Sequence, residues 1–268
     1  MSGRPLVVFG GGALGGAVAR LAASRGTSVT VASRQPGEHV GWWRRVCVGG
    51  DAPLGWLPTQ ADVVIAVGPG AGEHAAETWG PAFSAWCGRL RSLRPAGVVI
   101  AGPAGLVGGG IDAFDRAARV LRHEGVAVVR VPALLATERG WAGELAAGLR
   151  RGLCPRVSPR LPAARALVVE DAARVVLSEL GAESDVIVTG PALVTAEEVI
   201  RALEVRYGSS TRPRLFGTGV PREVQARLRA QEQLEDAWDD TRYGARTTLA
   251  TWVERQPGPR RRRGEPTP

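Results

Sequence analysis

The sequence predicts an α/β fold: a doubly wound parallel sheet with helices on both faces and a small C-terminal lobe. Three observations predict it. Strand and helix signals alternate along the chain, an apolar first strand runs directly into a glycine-rich turn, and 268 residues suit one large α/β domain, or one domain with a small appended lobe.

Leu6–Phe9 is uniformly apolar and reads as the buried first strand. Gly10, Gly12 and Gly15 then follow the G-x-G-x-x-G spacing, which supplies a tight turn, close backbone approach to a pyrophosphate and close helix-to-strand packing. Leu14, Ala17, Val18 and Leu21 give the next helix its apolar stripe, and its free N–H groups and positive dipole end would face the phosphates. This is the strand, turn and helix of a Rossmann-type dinucleotide site. Gly10, Gly12, Ala13, Leu14 and Gly15 are therefore expected to hold the pyrophosphate.

The alternating, β-branched run Ser28–Ala32 reads as strand two and leads into Ser33 and Arg34. An NAD-preferring site would carry Asp or Glu here for the ribose hydroxyls, and no carboxylate occurs before Glu38. A hydroxyl and a guanidinium suit a 2′-phosphate, so NADP(H) is the expected cofactor.

Strand three is expected at Arg45–Val48, before Gly49-Gly50-Asp51, and strand four at Asp62–Val67, ending at Gly68, Pro69 and Gly70. Trp79, Phe83, Trp86, Leu90 and Leu93 recur at helical spacing and read as the buried face of a helix. Strand five is expected at Gly97–Ala101, a helix over 112–123, and strand six at Val126–Val131, stopped by Pro132. Beyond it come a helix over Trp141–Arg151, a short segment Ala166–Val169 leading into another helix, and a strand at Asp185–Thr189. Thr195 with Glu198 starts a further helix as a capping box. An amphipathic helix with Val224, Leu228, Leu234 and Trp238 on one side follows, and the last helix ends near Trp252. Residues 1–160 are expected to form the NADP-binding domain, 161–255 to complete the fold and the substrate lobe, and 256–268 to be a disordered Arg/Pro-rich tail.

The formal charge of +8 comes from 34 basic residues, all arginine, and four of them stand together at Arg260–Arg263. No aromatic-studded basic face accompanies them, which argues against a nucleic-acid partner. The longest apolar runs are strand-sized and no charged n-region leads into an apolar h-region, so neither membrane span nor signal peptide is expected, and the compartment is the cytoplasm. Cys47, Cys87 and Cys154 are an odd number without metal-ligand spacing; they read as buried thiols, and no metal is expected.

In open α/β sheets, ligands bind beyond the carboxyl ends of the strands at the point where strand order reverses. That rule gathers 68–74, 101–110 and 132–137 around one crevice, with Gly68, Pro69, Ala101 and Pro132 expected near the ribose and nicotinamide. His74, one helical turn beyond strand four, is the candidate catalytic acid, because an imidazole at a helix N-terminus tends to stay neutral and can hydrogen-bond a carbonyl. Tyr207 and Tyr243, the only tyrosines, both fall in the C-terminal half.

With these features the chain resembles the short-chain dehydrogenase/reductase superfamily, in its extended and atypical branches, which include NmrA-like proteins. The resemblance covers nearly all of residues 5–253. Beyond the glycines it rests on Asp51 after strand three, Ala61-Asp62-Val-Val, Val131-Pro132, Val169-Glu-Asp-Ala-Ala173, Asp185-Val-Ile-Val-Thr-Gly190 and Thr195-Ala-Glu-Glu198. It implies that Asp51 contacts the adenine. It also implies a catalytic Ser/Thr after strand five and a Tyr-x-x-x-Lys pair on the next helix, and here the chain departs. Strand five is followed by Gly102-Pro103-Ala104, Ile111 falls at the tyrosine position and Asp115 at the lysine position, and a chain without lysine cannot supply that lysine in any register.

Loss of a general acid removes roughly 10²–10⁴-fold of rate without forbidding hydride transfer. A ketone beside an acidic phenol can supply its own proton, as on an aromatic polyketide. The expected activity is therefore an NADPH-dependent ketoreductase acting on a small-molecule aromatic ketone. It resembles the polyketide-tailoring ketoreductases of antibiotic pathways. The alternative is a non-catalytic NADP(H)-binding redox sensor of the NmrA-like kind.

Overall fold

A computed structural model describes residues 3–33, 43–47, 55–66, 87, 90, 95–103, 126–132, 134–137, 140–150, 163, 165–188, 190–207, 243 and 245–258. The expected helices over 112–123 and 224–238, most of the aromatic helix before strand five, and residues 259–268 lie outside them. So do Arg34, Asp51, Gly68, Pro69, His74, Ile111 and Asp115.

The sheet is built from β1 (Leu6–Phe9), β2 (Val29–Ser33), β3 (Trp43–Cys47), β4 (Asp62–Ile65), β5 (Gly97–Pro103), β6 (Val126–Val131) and β9 (Asp185–Ile187). Their order is β3-β2-β1-β4-β5-β6-β9, and every neighbouring pair is parallel. A second, two-stranded parallel ladder joins β7 (Leu134–Leu135) to β8 (Leu167–Val168). The helices described are α1 (Ala13–Ser24), α2 (Gly140–Arg150), α3 (Val169–Ser178), α4 (Ala196–Tyr207) and α5 (Leu249–Glu254). None of them is long and apolar enough to cross a membrane.

Three strand boundaries move for a reason visible in the ladders. Strand two ends at Ser33 and strand three starts at Trp43, because these two strands pair along five residues, from Val29↔Trp43 to Ser33↔Cys47. Strand five runs on through Gly102 and Pro103, which pair with Arg130 and Val131. Among the described residues the β4 ladder has ended beyond Ile100 and β6 alone flanks this stretch, where a proline without an N–H is tolerated.

Two clusters of buried side chains are described. In the first, Leu14, Ala17, Val18 and Ala22 of α1 and Ala172, Ala173 and Val176 of α3 pack with Leu6, Val8, Val64, Val99 and Val129 of the sheet. In the second, Leu145 and Leu149 of α2, Val199, Leu203 and Tyr207 of α4 and Trp252 of α5 surround Leu135 and Val168. The chain enters these cores in alternation: α2 packs in the second, α3 and β9 in the first, then α4 and α5 in the second. The small β7–β8 ladder contributes to both, with Leu167 in the first and Leu135 and Val168 in the second. Cys87 is buried and its thiol is pushed up to about 12 by desolvation, so it is protonated and unreactive at neutral pH.

The capping box at α4 is closed in both directions. The Thr195 N–H donates to Glu198 Oε2 at 2.6 Å, and the Glu198 N–H donates to Thr195 Oγ1 at 3.1 Å. The backbone hydrogen bond from Thr195 holds the Glu198 carboxyl below its ordinary value of 4.5. A depressed carboxyl stabilises the folded state above its unfolded value and ceases to do so as the pH falls through the folded one. The advantage of the wild type over Glu198→Gln in urea denaturation should therefore be full above pH 4.5 and vanish on further acidification. Thr195→Ala should lower stability by about 1 kcal/mol at neutral pH.

Candidate functional site

Because every described ladder of the main sheet is parallel, the carboxyl ends of its strands share one side of the molecule. Strand order reverses between β1 and β4, where the chain passes to β2 on one side and to β5 on the other. The expected glycine turn stands at this reversal, directly after Phe9.

Its three motif glycines have three different physical reasons. Gly10 has φ +112°, a conformation that L side chains rarely adopt, and its N–H still reaches across to Ala32 O at 2.8 Å. Gly15 sits where α1 presses on the end of β1: a Cβ there would lie 1.9 Å from Gly10 O and 3.3 Å from Val8 Cγ1. Gly12 is different. It is the N-cap of α1 with φ −73°, an ordinary backbone angle, and a Cβ would meet no atom of the described residues within 4 Å. Among the described residues, neither packing nor the backbone requires glycine at 12, and its Cα side is open.

The start of α1 is also chemically bare. Gly12 has no side chain with which to cap the helix, and no acidic residue stands in the first turn. The positive end of the helix is thus without a carboxylate of its own, a setting that favours an anion. Leu14 is buried in the first core and Ala13 packs partly against it, so what these two residues present toward the turn is backbone.

The other expected positions that are described lie in or just beyond β2, β5 and β6. Ser33 is the last residue of β2, buried at 7% exposure. Pro132 is buried immediately beyond β6. Ala101 lies inside β5, opposite Val129 and two residues short of the strand end, with its side chain in the first core. The carboxyl end of β5 is Pro103.

Neither tyrosine substitutes simply for the missing pair. Tyr207 belongs to the second core, where burial pushes its phenol up while Arg150 and Arg206 pull it down. Tyr243 is partly buried against the first core. Trp56 tilts against Phe9 with ring centroids 6.1 Å apart at 44°, so it packs on the end of β1. One residue at this end of the sheet has a role that local pattern does not reveal. Asp171, in the first turn of α3, is 3% exposed, and its Oδ2 accepts the N–H groups of Arg246 at 3.1 Å and Thr247 at 2.8 Å. The two partners are 75 and 76 residues away, beyond the reach of any spacing rule.

Neither a family model nor a curated protein matches this sequence. Solved structures do. MoeE5 in complex with UDP-glucose and NAD is 16% identical, over 93% of this chain and 97% of that one, with a TM-score of 0.68. UDP-N-acetylglucosamine 4-epimerase from Bacillus cereus is 11% identical over 94% of each chain, with a TM-score of 0.69. dTDP-glucose 4,6-dehydratase from Bacillus anthracis str. Ames in complex with NAD is 11% identical, over 88% of this chain and 98% of that one, at 0.62. At these identities the likeness establishes the fold alone: a Rossmann-type, doubly wound parallel sheet.

The glycine geometry separates two substitutions. Gly15→Ala forces α1 away from β1 and should lower stability by about 1–3 kcal/mol in urea denaturation. Gly12→Ala meets open space and should cost at most about 1 kcal/mol, the difference between Gly and Ala at an N-cap.

Proposed function

We propose that this chain is an NADP(H)-dependent reductase whose coenzyme lies across the carboxyl ends of β1, β2 and β4. Gly12 carries the reading: glycine is required there neither by its backbone angle nor by packing, and the space beside it adjoins a helix start that holds no anion of its own. A pyrophosphate accounts for both features. That solved structures of the same fold are complexes with NAD supports a dinucleotide as the ligand.

Gly10, Gly12, Ala13, Leu14 and Gly15 would hold the pyrophosphate, Ser33 and Arg34 the 2′-phosphate, and Asp51 the adenine. Gly68, Pro69, Ala101 and Pro132 would stand along the ribose and nicotinamide. When bound, the nicotinamide supplies a hydride equivalent to a carbonyl. What the chain adds is orientation and exclusion of water by the apolar strand ends. The lysine-free sequence cannot complete the Tyr-Lys pair that the resemblance implies. The proton is therefore assigned to the substrate or to solvent, with His74 the candidate among the side chains. A phenol beside the ketone meets this need, which favours a bulky aromatic secondary metabolite, as for the polyketide-tailoring ketoreductases of antibiotic assembly. The same missing pair weighs against the epimerase and dehydratase chemistry in the names of the structural neighbours, and it is the one feature that favours a second reading, an NmrA-like redox sensor.

Titration with NADPH and NADH tests the coenzyme assignment. Arg34→Ala should weaken NADPH by about tenfold or more, the worth of a charge-assisted hydrogen bond, and leave NADH little changed. Equal losses for both would remove the assignment of the 2′-phosphate. Gly12→Ala should fold and bind neither coenzyme; normal binding by this variant would overturn the site. Incubation with NADPH and phenolic polyketide ketones, followed by absorbance, separates enzyme from sensor. Turnover supports the reductase, and its absence together with a captured protein partner supports the sensor.

A further inference from the structure

The turn from α3 into β9 places α3 relative to the crevice. Gly181, just past α3, has its N atom 3.1 Å from where a Cβ on Gly97 would stand, and Gly97 is the first residue of β5. Ser184 O accepts the N–H of Val128 at 2.7 Å, and β9 then runs parallel to β6. The C-terminal end of α3 is thus at the amino ends of the strands, and its first turn is at their carboxyl ends. The helix α1 runs in the same sense, since it starts from the carboxyl end of β1 and returns to the amino end of β2. The two helices pack side by side on the first core. Their first turns are therefore neighbours at the crevice, separated by a helix-packing distance of about 8–10 Å.

Asp171 occupies that first turn of α3. A buried carboxylate is expensive unless its oxygens are satisfied. Here Oδ2 takes two backbone N–H groups and Oδ1 pairs with the guanidinium of Arg174. The two N–H groups belong to a connection without regular structure, Ala245-Arg246-Thr247, that leads into α5 of the second core. Thr247 is itself buried, Ala245 and Tyr243 pack on the first core, and Arg246 is exposed. The segment therefore crosses from one core to the other beside the first turn of α3.

We infer that residues 245–247 form a wall of the dinucleotide crevice and that Asp171 is its positioning residue, fixing the wall through two backbone hydrogen bonds. The inference rests on the coenzyme reading above and deepens it: the wall faces the part of the coenzyme held by the first turn of α1.

Hydrogen exchange on the wild-type chain with and without NADP, beside calorimetry of the same sample, tests it. Binding with slower exchange over 245–250 supports the wall. Binding without such protection overturns it and leaves the coenzyme reading standing, whereas no binding overturns both. The variants test the positioning role. Asp171→Asn keeps an acceptor for the two N–H groups, so its NADP affinity should stay near that of the wild type. Asp171→Ala removes the acceptor and should bind NADP about tenfold more weakly in its folded fraction, with faster exchange at Arg246 and Thr247. A lowered melting temperature with unchanged affinity would make Asp171 merely structural and overturn the role. Should the Ala variant not fold, loss of NADP affinity in the folded Asn variant would overturn it equally.

Discussion

The near-contact of α1 with the end of β1 is the constraint on which the rest of the site depends. Gly15 meets the carbonyl of Gly10 at a distance that leaves no room for a methyl group. Gly10 in turn makes the turn only by adopting a positive φ. Together they bring the first turn of a helix to the exposed end of a buried strand, so that its backbone N–H groups converge on one place. Gly12 then leaves that place open. Two glycines build the geometry and the third keeps it accessible, which is why one spacing motif contains three separable requirements.

The parallel sheet extends this local arrangement to the whole molecule. Apolar strands such as Val63–Ile65 and Val126–Val129 are buried almost completely, and they need helices on both faces. Uniform polarity follows from the crossovers, and uniform polarity puts the ends of β1, β2, β4, β5 and β6 on one side. The second core is joined to the first at that same side, through the β7–β8 ladder and through the carboxylate of Asp171. A ligand at the strand ends therefore lies where the two cores meet, and that junction is held by a few specific bonds.

Much of this was legible in the order of residues. Leu6–Phe9, the glycine turn, Val126–Val131 and the Thr195–Glu198 capping box depend on neighbours within a few positions, and each is found where its local chemistry indicates. Strand ends are less legible, since Ser33 and Pro103 extend their strands only because Cys47 and Val131 stand opposite them. The β7–β8 ladder, two residues on each side, is too short to carry any periodicity.

By itself, then, the sequence determined the parallel α/β architecture, the glycine turn at the end of the first strand and the lack of a Tyr-Lys pair, because these rest on short-range pattern and on composition. Tertiary structure alone decided that Gly12 faces open space while Gly15 does not, that Ala101 lies inside its strand, and that Asp171 holds Arg246 and Thr247. Each of those outcomes depends on which surfaces meet when segments far apart in the chain pack together, and no spacing rule along the chain encodes such a meeting.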